Sequence, residues 1–211
     1  MTAFWDHHYA DFNEDSPSPF CTKVAADLLL PTDSVIELGC GNGRDGLALV
    51  RRADFYTGVD LSANAIQSAG ERFLGARIAT QRYSLTVGDF SKVNFATLEA
   101  SRLVVYSRFS LHADSEVAEN ALLDHLAEYD LGPILVCIEA RTIFDELYEQ
   151  GELIERNTYM TDHYRRFIVP DEFKEKVDRR FTVNSFEVER GFAPYGSEDP
   201  IVMRVVFSGK S

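Results

Sequence analysis

Basic residues, cysteines and long apolar runs are all scarce in this chain. Its 211 residues carry 21 Lys and Arg against 34 Asp and Glu, a formal charge of −13. That sign repels phosphate backbones and anionic bilayers wherever charges are unscreened, which disfavours nucleic-acid and membrane-surface partners. The three cysteines, at positions 21, 40 and 137, form no CxxC and are odd in number. They point to reduced thiols in a cytoplasmic setting and away from a disulfide framework or a zinc site. No segment approaches the roughly 18 consecutive apolar residues of a spanning helix. The polar, aromatic start MTAFWDHHYADF also lacks the basic-then-apolar order of a secretory leader. What is present is enough for a core: 45% of the residues are hydrophobic and 12% aromatic, so the acidic excess does not place the chain among disordered ones. At this length one domain spanning residues 1–211 is expected.

Apolar runs alternate with amphipathic segments from about residue 34 onward, the signature of an α/β protein. The pattern predicts helices over 18–30, 43–52, 62–75, 116–128, 143–150 and 170–179, and strands over 34–38, 55–60, 83–88, 103–107, 134–139, 181–190 and 201–207. The last two strands are separated only by GFAPYGSEDP. A parallel crossover needs about a dozen residues or more, so this pair reads as a hairpin and the seven-stranded sheet as mixed at one edge. Within the domain, 1–30 reads as an N-terminal lid and helix, 31–140 as a cofactor-binding core, 141–169 as a connector able to roof a ligand cleft, and 170–211 as the C-terminal helix and hairpin.

The most specific feature is VIELGCGNGRDGLALV at 35–50, an apolar strand that turns through three glycines directly into helical sequence. Gly39, Gly41 and Gly43 permit close approach of a ligand to the backbone, and the first-turn amides beyond them can face polar groups. Asp60 closes the next strand, 21 residues after Gly39, where a carboxylate can receive ribose hydroxyls, and Asp89-Phe90 follows the third. With these residues the chain resembles the class I S-adenosylmethionine-dependent methyltransferases of small molecules, over nearly its whole length. ELGCGNGRD resembles that family's first motif, Asp60 its ribose-binding acid, Asp89-Phe90 the pair beside the adenine, and VVYSRFSLHA its fourth strand and following loop. NAD is the alternative cofactor, but its GxGxxG fingerprint needs a glycine where Arg44 stands.

The resemblance implies a Rossmann-like α/β fold, helices on both faces, sheet order 3-2-1-4-5-7-6 and an antiparallel C-terminal strand. It implies S-adenosyl-L-methionine as cofactor, held by Glu37, Gly39, Cys40, Gly41, Asn42, Gly43, Asp60, Leu61, Asp89, Phe90, Arg108 and Phe109. It makes Trp5 and Tyr9 candidate lid residues, with aromatic packing against the sheet as the other reading. Glu37 either shapes the glycine loop or is solvated, and Asp45 either caps the following helix or orients a neighbour. The adjacent His7-His8 pair points to opposite faces of an extended chain and lacks further ligands, so no metal site is expected.

His112 lies beyond the fourth strand, at the edge where open α/β sheets bind ligands. Its imidazole suits a catalytic base or a substrate-orienting group, and the bland reading is a satisfied structural histidine. Arg108, and Glu139 with Arg141 at the end of strand five, share that edge. Asp162-His163-Tyr164-Arg165-Arg166 concentrates hydrogen-bonding and charged groups in the roof segment, either for an acidic or hydroxylated substrate or as a lock on the core. VYSRFS stands where many base and glutamine methyltransferases carry an NPPY-like tetrapeptide, which turns the reading from nucleic acid toward a small molecule. Methyl transfer to a hydroxyl of a small polar metabolite, in the manner of sugar or natural-product enzymes, is the expected function. The alternatives are an amine acceptor and a cofactor-binding module with little transfer activity; a homodimer and a monomer are both compatible. Residues 114–155 hold 12 acids and one base, whereas 156–180 hold seven bases and five acids, so the acidity is concentrated ahead of the stretch that carries Arg165 and Arg166.

Overall fold

The computed structural model describes residues 4–7, 14–196 and 198–210. A seven-stranded sheet organises the chain: β1 (Ser34–Leu38), β2 (Phe55–Asp60), β3 (Tyr83–Val87), β4 (Leu103–Arg108), β5 (Ile134–Arg141), β9 (Phe181–Glu189) and β10 (Val202–Gly209). Their order is β3-β2-β1-β4-β5-β10-β9. β1 to β5 are mutually parallel, and β10 runs antiparallel to both β5 and β9. This is the Rossmann-like methyltransferase order, with the mixed edge that the short last connection predicts.

Strand alternation divides the core into two layers. On one face Ile36, Leu38, Val105, Val136, Ile138 and Val205 pack under α4 (Glu116–Ala127) and α5 (Pro170–Arg180). On the other, Val35, Tyr56, Val104, Tyr106, Leu135 and Cys137 pack under α1 (Pro19–Asp27), α2 (Arg44–Val50) and the Phe73 end of α3 (Ala63–Gly75). All residues of β4 and β5 except their last arginines are buried, as the near-continuous apolar runs of a parallel sheet covered on both faces require. Local sequence sets the helix starts. Ser18, Ser62 and Ser115 accept hydrogen bonds from Cys21, Ala65 and Ala118 amides, and prolines occupy the first turns of α1 and α5. All three cysteines are buried free thiols; burial pushes the Cys137 thiol up to about 12. No helix among the described residues is long and apolar enough to cross a membrane.

The connector between β5 and α5 departs from expectation. In place of a helix at 143–150 the chain makes successive turns, stapled by the Asp145 carboxylate, which accepts from the Leu147 amide and from Arg141. A second, three-stranded antiparallel sheet follows: β6 (Glu152–Glu155), β7 (Thr158–Met160) and β8 (Tyr164–Arg166). Strands of three or four residues carry too little alternation to be distinguished from loop.

Candidate active site

A cavity of about 570 Å³ opens at the carboxyl edge of the parallel strands. Its floor is the turn after β1. Gly39, Gly41 and Gly43 all have positive φ, and a Cβ on Gly39 would overlap the Ser110 side chain, which donates to the Leu38 carbonyl. Asp60, at the end of β2, accepts from the Gly41 amide through Oδ2 and from the Ser62 amide through Oδ1, each at 2.9 Å. Burial raises its pKa and these amides oppose the rise. A carboxylate offers about four lone-pair directions, so two remain for a ligand's hydroxyls. Leu61 and Phe90 extend the wall beyond β2 and β3.

The chain before α1 crosses the glycine turn as a strap. Glu14 pairs with Arg44, its carbonyl accepts from Asn42 Nδ2 and Arg72, and Asp15 pairs with Arg72 at 2.8 Å. Asp45 in the first turn of α2 is buried and accepts from the Ser18 amide (2.6 Å), Ser18 Oγ (2.7 Å) and Tyr106 Oη (2.8 Å). Farther out, Phe4 and Trp5 lie in a helical turn whose Asp6 accepts from Ser62 Oγ, and both rings contact the His163 ring.

The family model for a methyltransferase domain matches residues 35–129. Over these residues, a little under half of its length, the chain is similar to methyltransferase domains. Thiocyanate methyltransferase 1 of Brassica oleracea is 23% identical over 159 residues, 75% of this chain and 61% of the relative, so the chain spans about three fifths of that protein's length. The CcbJ methyltransferase from Streptomyces caelestis superposes with a TM-score of 0.71 at 14% identity, covering 100% of this chain and 99% of that one. A structure from work on the conversion of a disulfide bond into a thioacetal group during echinomycin biosynthesis gives the same TM-score at 19% identity, covering 100% and 93%. At these identities the structural likeness is one of fold.

Around the methyltransferase cavity stand Trp5, Glu37, Gly39, Cys40, Gly41, Asn42, Asp60, Leu61, Phe90, Arg108, Phe109, His112, Arg141, Asp162, His163 and Arg165. Tyr9 and His8 lie outside the described residues. Five expected site residues are not among those lining the cavity. Gly43 is the left-handed N-cap of α2, close-packed on Ala69 and Phe73 of α3. Asp89 caps the short turn at Phe90–Lys92 and pairs with Lys92. Glu139 is fully buried and holds Arg108 (2.8 Å) and Arg204 (2.6 Å), its registered neighbours on β4 and β10. Arg166 donates to the Leu111 and Asp114 carbonyls and to Glu119 at 2.8 Å. Tyr164 shares the strand face of Arg166. Successive residues on β8 point to opposite faces, so of the Tyr164-Arg165-Arg166 run only Arg165 reaches the cavity.

Glu37 receives the Tyr56 hydroxyl at 2.5 Å instead of the loop amides, and burial raises its pKa well above the usual carboxylate range. Phe109, at φ 57°, places its ring within cation–π reach of Arg108 (4.3 Å) and Arg141 (5.4 Å). His112 is buried against the cavity, and its Nδ1 has no hydrogen-bond partner among the described residues. Burial, then the charges of Arg141 and Arg165, hold its pKa well below the ordinary value of 6.5.

The 14–18 strap lies within the 1–30 segment read as lid and helix, without its contacts being foreseen; two parts of the site were not anticipated, Ser110 beneath Gly39 and the β9–β10 loop, which contributes Ala193, Pro194 and Tyr195. The SPSP run before α1 was the available signal for the strap. Nothing local marks Ser110, whose role depends on its approach to a glycine 71 positions earlier.

Proposed function

We propose that the protein transfers a methyl group from S-adenosylmethionine to a hydroxyl of a small polar metabolite. The observation that carries this reading is a glycine cradle with no room for Cβ, beside a carboxylate with free acceptor capacity and within one cavity with a buried imidazole whose Nδ1 has no hydrogen-bond partner among the described residues. The residues fit the cofactor. The turn at Gly39–Gly41 admits it to the backbone, Asp60 suits its ribose hydroxyls, and Leu61 and Phe90 suit its adenine. The carboxylates of Asp45 and Asp60 and the ring of Trp5 favour a cation over a phosphate-bearing ligand. When bound, that group supplies an electrophilic methyl on a sulfonium.

His112 has the role of base: the imidazole accepts the hydroxyl proton as the oxygen attacks and later returns it to solvent. The same burial that keeps the ring neutral keeps it available for this step across the physiological range. Phe109, held by its contacts to Arg108 and Arg141, lines the cavity as an apolar wall suited to keeping water from the line of approach. The strap and the 4–7 turn close the cavity from above, which favours an acceptor of metabolite size over a polymer. The net charge of −13 favours the same reading. The Brassica relative is a thiocyanate methyltransferase, and that small acceptor supports the size argument.

Titration calorimetry with S-adenosylmethionine and S-adenosylhomocysteine tests the cofactor, and failure to bind either rejects the reading. With a panel of hydroxylated metabolites, formation of S-adenosylhomocysteine and an O-methyl product is expected. Products methylated only on nitrogen would move the acceptor to an amine, and binding without turnover would leave a cofactor-binding module. His112→Ala is expected to slow transfer by about 10²-fold or more at saturating cofactor, with cofactor affinity unchanged.

A further inference from the structure

Four arginines line the cavity: Arg44, Arg108, Arg141 and Arg165. Three are matched by carboxylates: Arg44 by Glu14, Arg108 by Glu139, and Arg141 by both Asp145 (2.9 Å) and Glu198 (2.7 Å). Arg165 is different. Its side chain is only 13% exposed, and its one hydrogen bond among the described residues runs from Nη1 to Thr161 Oγ1 at 3.1 Å. The nearest carboxylate oxygen, on the 61%-exposed Asp162, stands 3.7 Å from Nη2, beyond hydrogen-bond reach. A guanidinium carries five N–H donors, so most of this one's capacity faces the cavity unspent. Its one ion-pair partner among the described residues, Asp162, is solvent-exposed and too far for a hydrogen bond, so the guanidinium fork lacks the two parallel bonds that a ligand carboxylate can supply.

Resting on the methyl-transfer reading above, we propose that Arg165 anchors a carboxylate of the acceptor, so that the substrates are small hydroxy acids, held by their carboxylate at Arg165 and presenting a hydroxyl to His112. A planar carboxylate matches the guanidinium fork with two parallel hydrogen bonds. One guanidinium with its fork unsatisfied and only a loose, exposed counter-charge suits a monoanion. A dianionic phosphate would face the carboxylates of Asp114 and Asp162 at the cavity wall, with Asp145 and Glu198 just behind Arg141, and no second unmatched cation. An ammonium group would be repelled by Arg165 itself. Arg141, saturated by two carboxylates, shapes the subsite and supports Phe109 without offering net charge. The arrangement also explains why a strongly acidic protein keeps a desolvated arginine beside a buried histidine.

The test is calorimetry on the protein saturated with S-adenosylhomocysteine. The probes are lactate, salicylate and glucuronate, each paired with its uncharged carboxamide, and glucose 6-phosphate as the phosphate probe. At least one acid is expected to bind on the order of tenfold or more tightly than its amide. Arg165→Gln is expected to abolish that difference while leaving S-adenosylhomocysteine affinity unchanged. Arg165→Lys, which keeps the charge and loses the fork, is expected to retain part of it, and it carries the test if the glutamine variant fails to fold. Acids binding no better than amides, no acid binding at all, a tighter sugar phosphate, or an acid preference that survives Arg165→Gln would each overturn the proposal. Any of these results with S-adenosylhomocysteine still bound rejects the carboxylate anchor alone. Loss of S-adenosylhomocysteine binding by the unaltered protein rejects the methyl-transfer reading beneath it.

Discussion

Gly39 and Asp60 show how much of this site depends on single atoms. At φ 77°, and with Ser110 directly against the position a Cβ would take, residue 39 tolerates no side chain. Gly39→Ala is expected to lower stability by about 1–3 kcal/mol and to weaken S-adenosylhomocysteine binding at least tenfold; unfolding in urea and calorimetry would measure the two. Asp60→Asn keeps the shape but replaces one acceptor oxygen with a donor that opposes either the Gly41 amide or a ribose hydroxyl. A loss of about tenfold or more in cofactor affinity is expected. An unchanged affinity would remove Asp60 from the ribose role. Both residues were legible from sequence, because a glycine-crowded strand-to-helix turn and an acid ending the next strand are local signals. Glu139, Arg166 and Asp89 stand outside the cavity lining for a reason the sequence does not carry: residue type and sheet edge were readable, whereas the partner occupying each side chain was not. Glu139 is a cross-strand partner of two arginines, Arg166 serves Glu119, and Asp89 closes a turn on Lys92.

At the scale of elements, the long alternating segments were recovered within a few residues, and the order of strands followed from the family resemblance together with the short final connection. The roof was not recovered. Its three short strands owe their pairing to docking over the sheet, where Arg166 ties β8 to α4, and a helix expected from the charged run at 143–150 gave way to turns that place Arg141 on Asp145. The row Arg108–Glu139–Arg204 likewise exists only because β4, β5 and β10 stand side by side in register. Arg204 donates in addition to the Phe192 carbonyl and stacks on the Phe192 ring at 4.2 Å, so the row also fixes the β9–β10 loop. Glu139→Gln leaves two largely buried guanidiniums facing one neutral amide. A destabilisation of about 3 kcal/mol or more is expected from urea unfolding, whereas Lys23→Ala, at an exposed pair on α1, should change stability by less than about 1 kcal/mol.

For the whole molecule, two buried groups give stability opposing dependences on pH. The pKa of His112 is held below 6.5 in the folded state, so the unfolded chain takes up the proton first. Its contribution is complete above that value and is lost as the pH falls below it. Glu37, whose pKa is raised above 4.5, contributes fully below that value and loses its contribution as the pH rises through the folded-state pKa. The melting temperature is therefore expected to fall as the pH is lowered from about 7 toward about 5, with a shallower fall in His112→Gln; identical slopes in the two proteins would show that the ring is not held neutral. Most of the fold's contacts join distant parts of the chain, and the sheet adds its own constraint of order. Because β10 lies between β5 and β9, the earlier β9 has no place in the sheet until the later β10 has docked. The loop that brings Ala193 to Tyr195 to the cavity is fixed by that same event. A nascent chain can thus build the glycine cradle early, but the wall at Ala193–Tyr195 forms only once β10 is made and docked, so that docking marks when during its own production the protein completes its cavity.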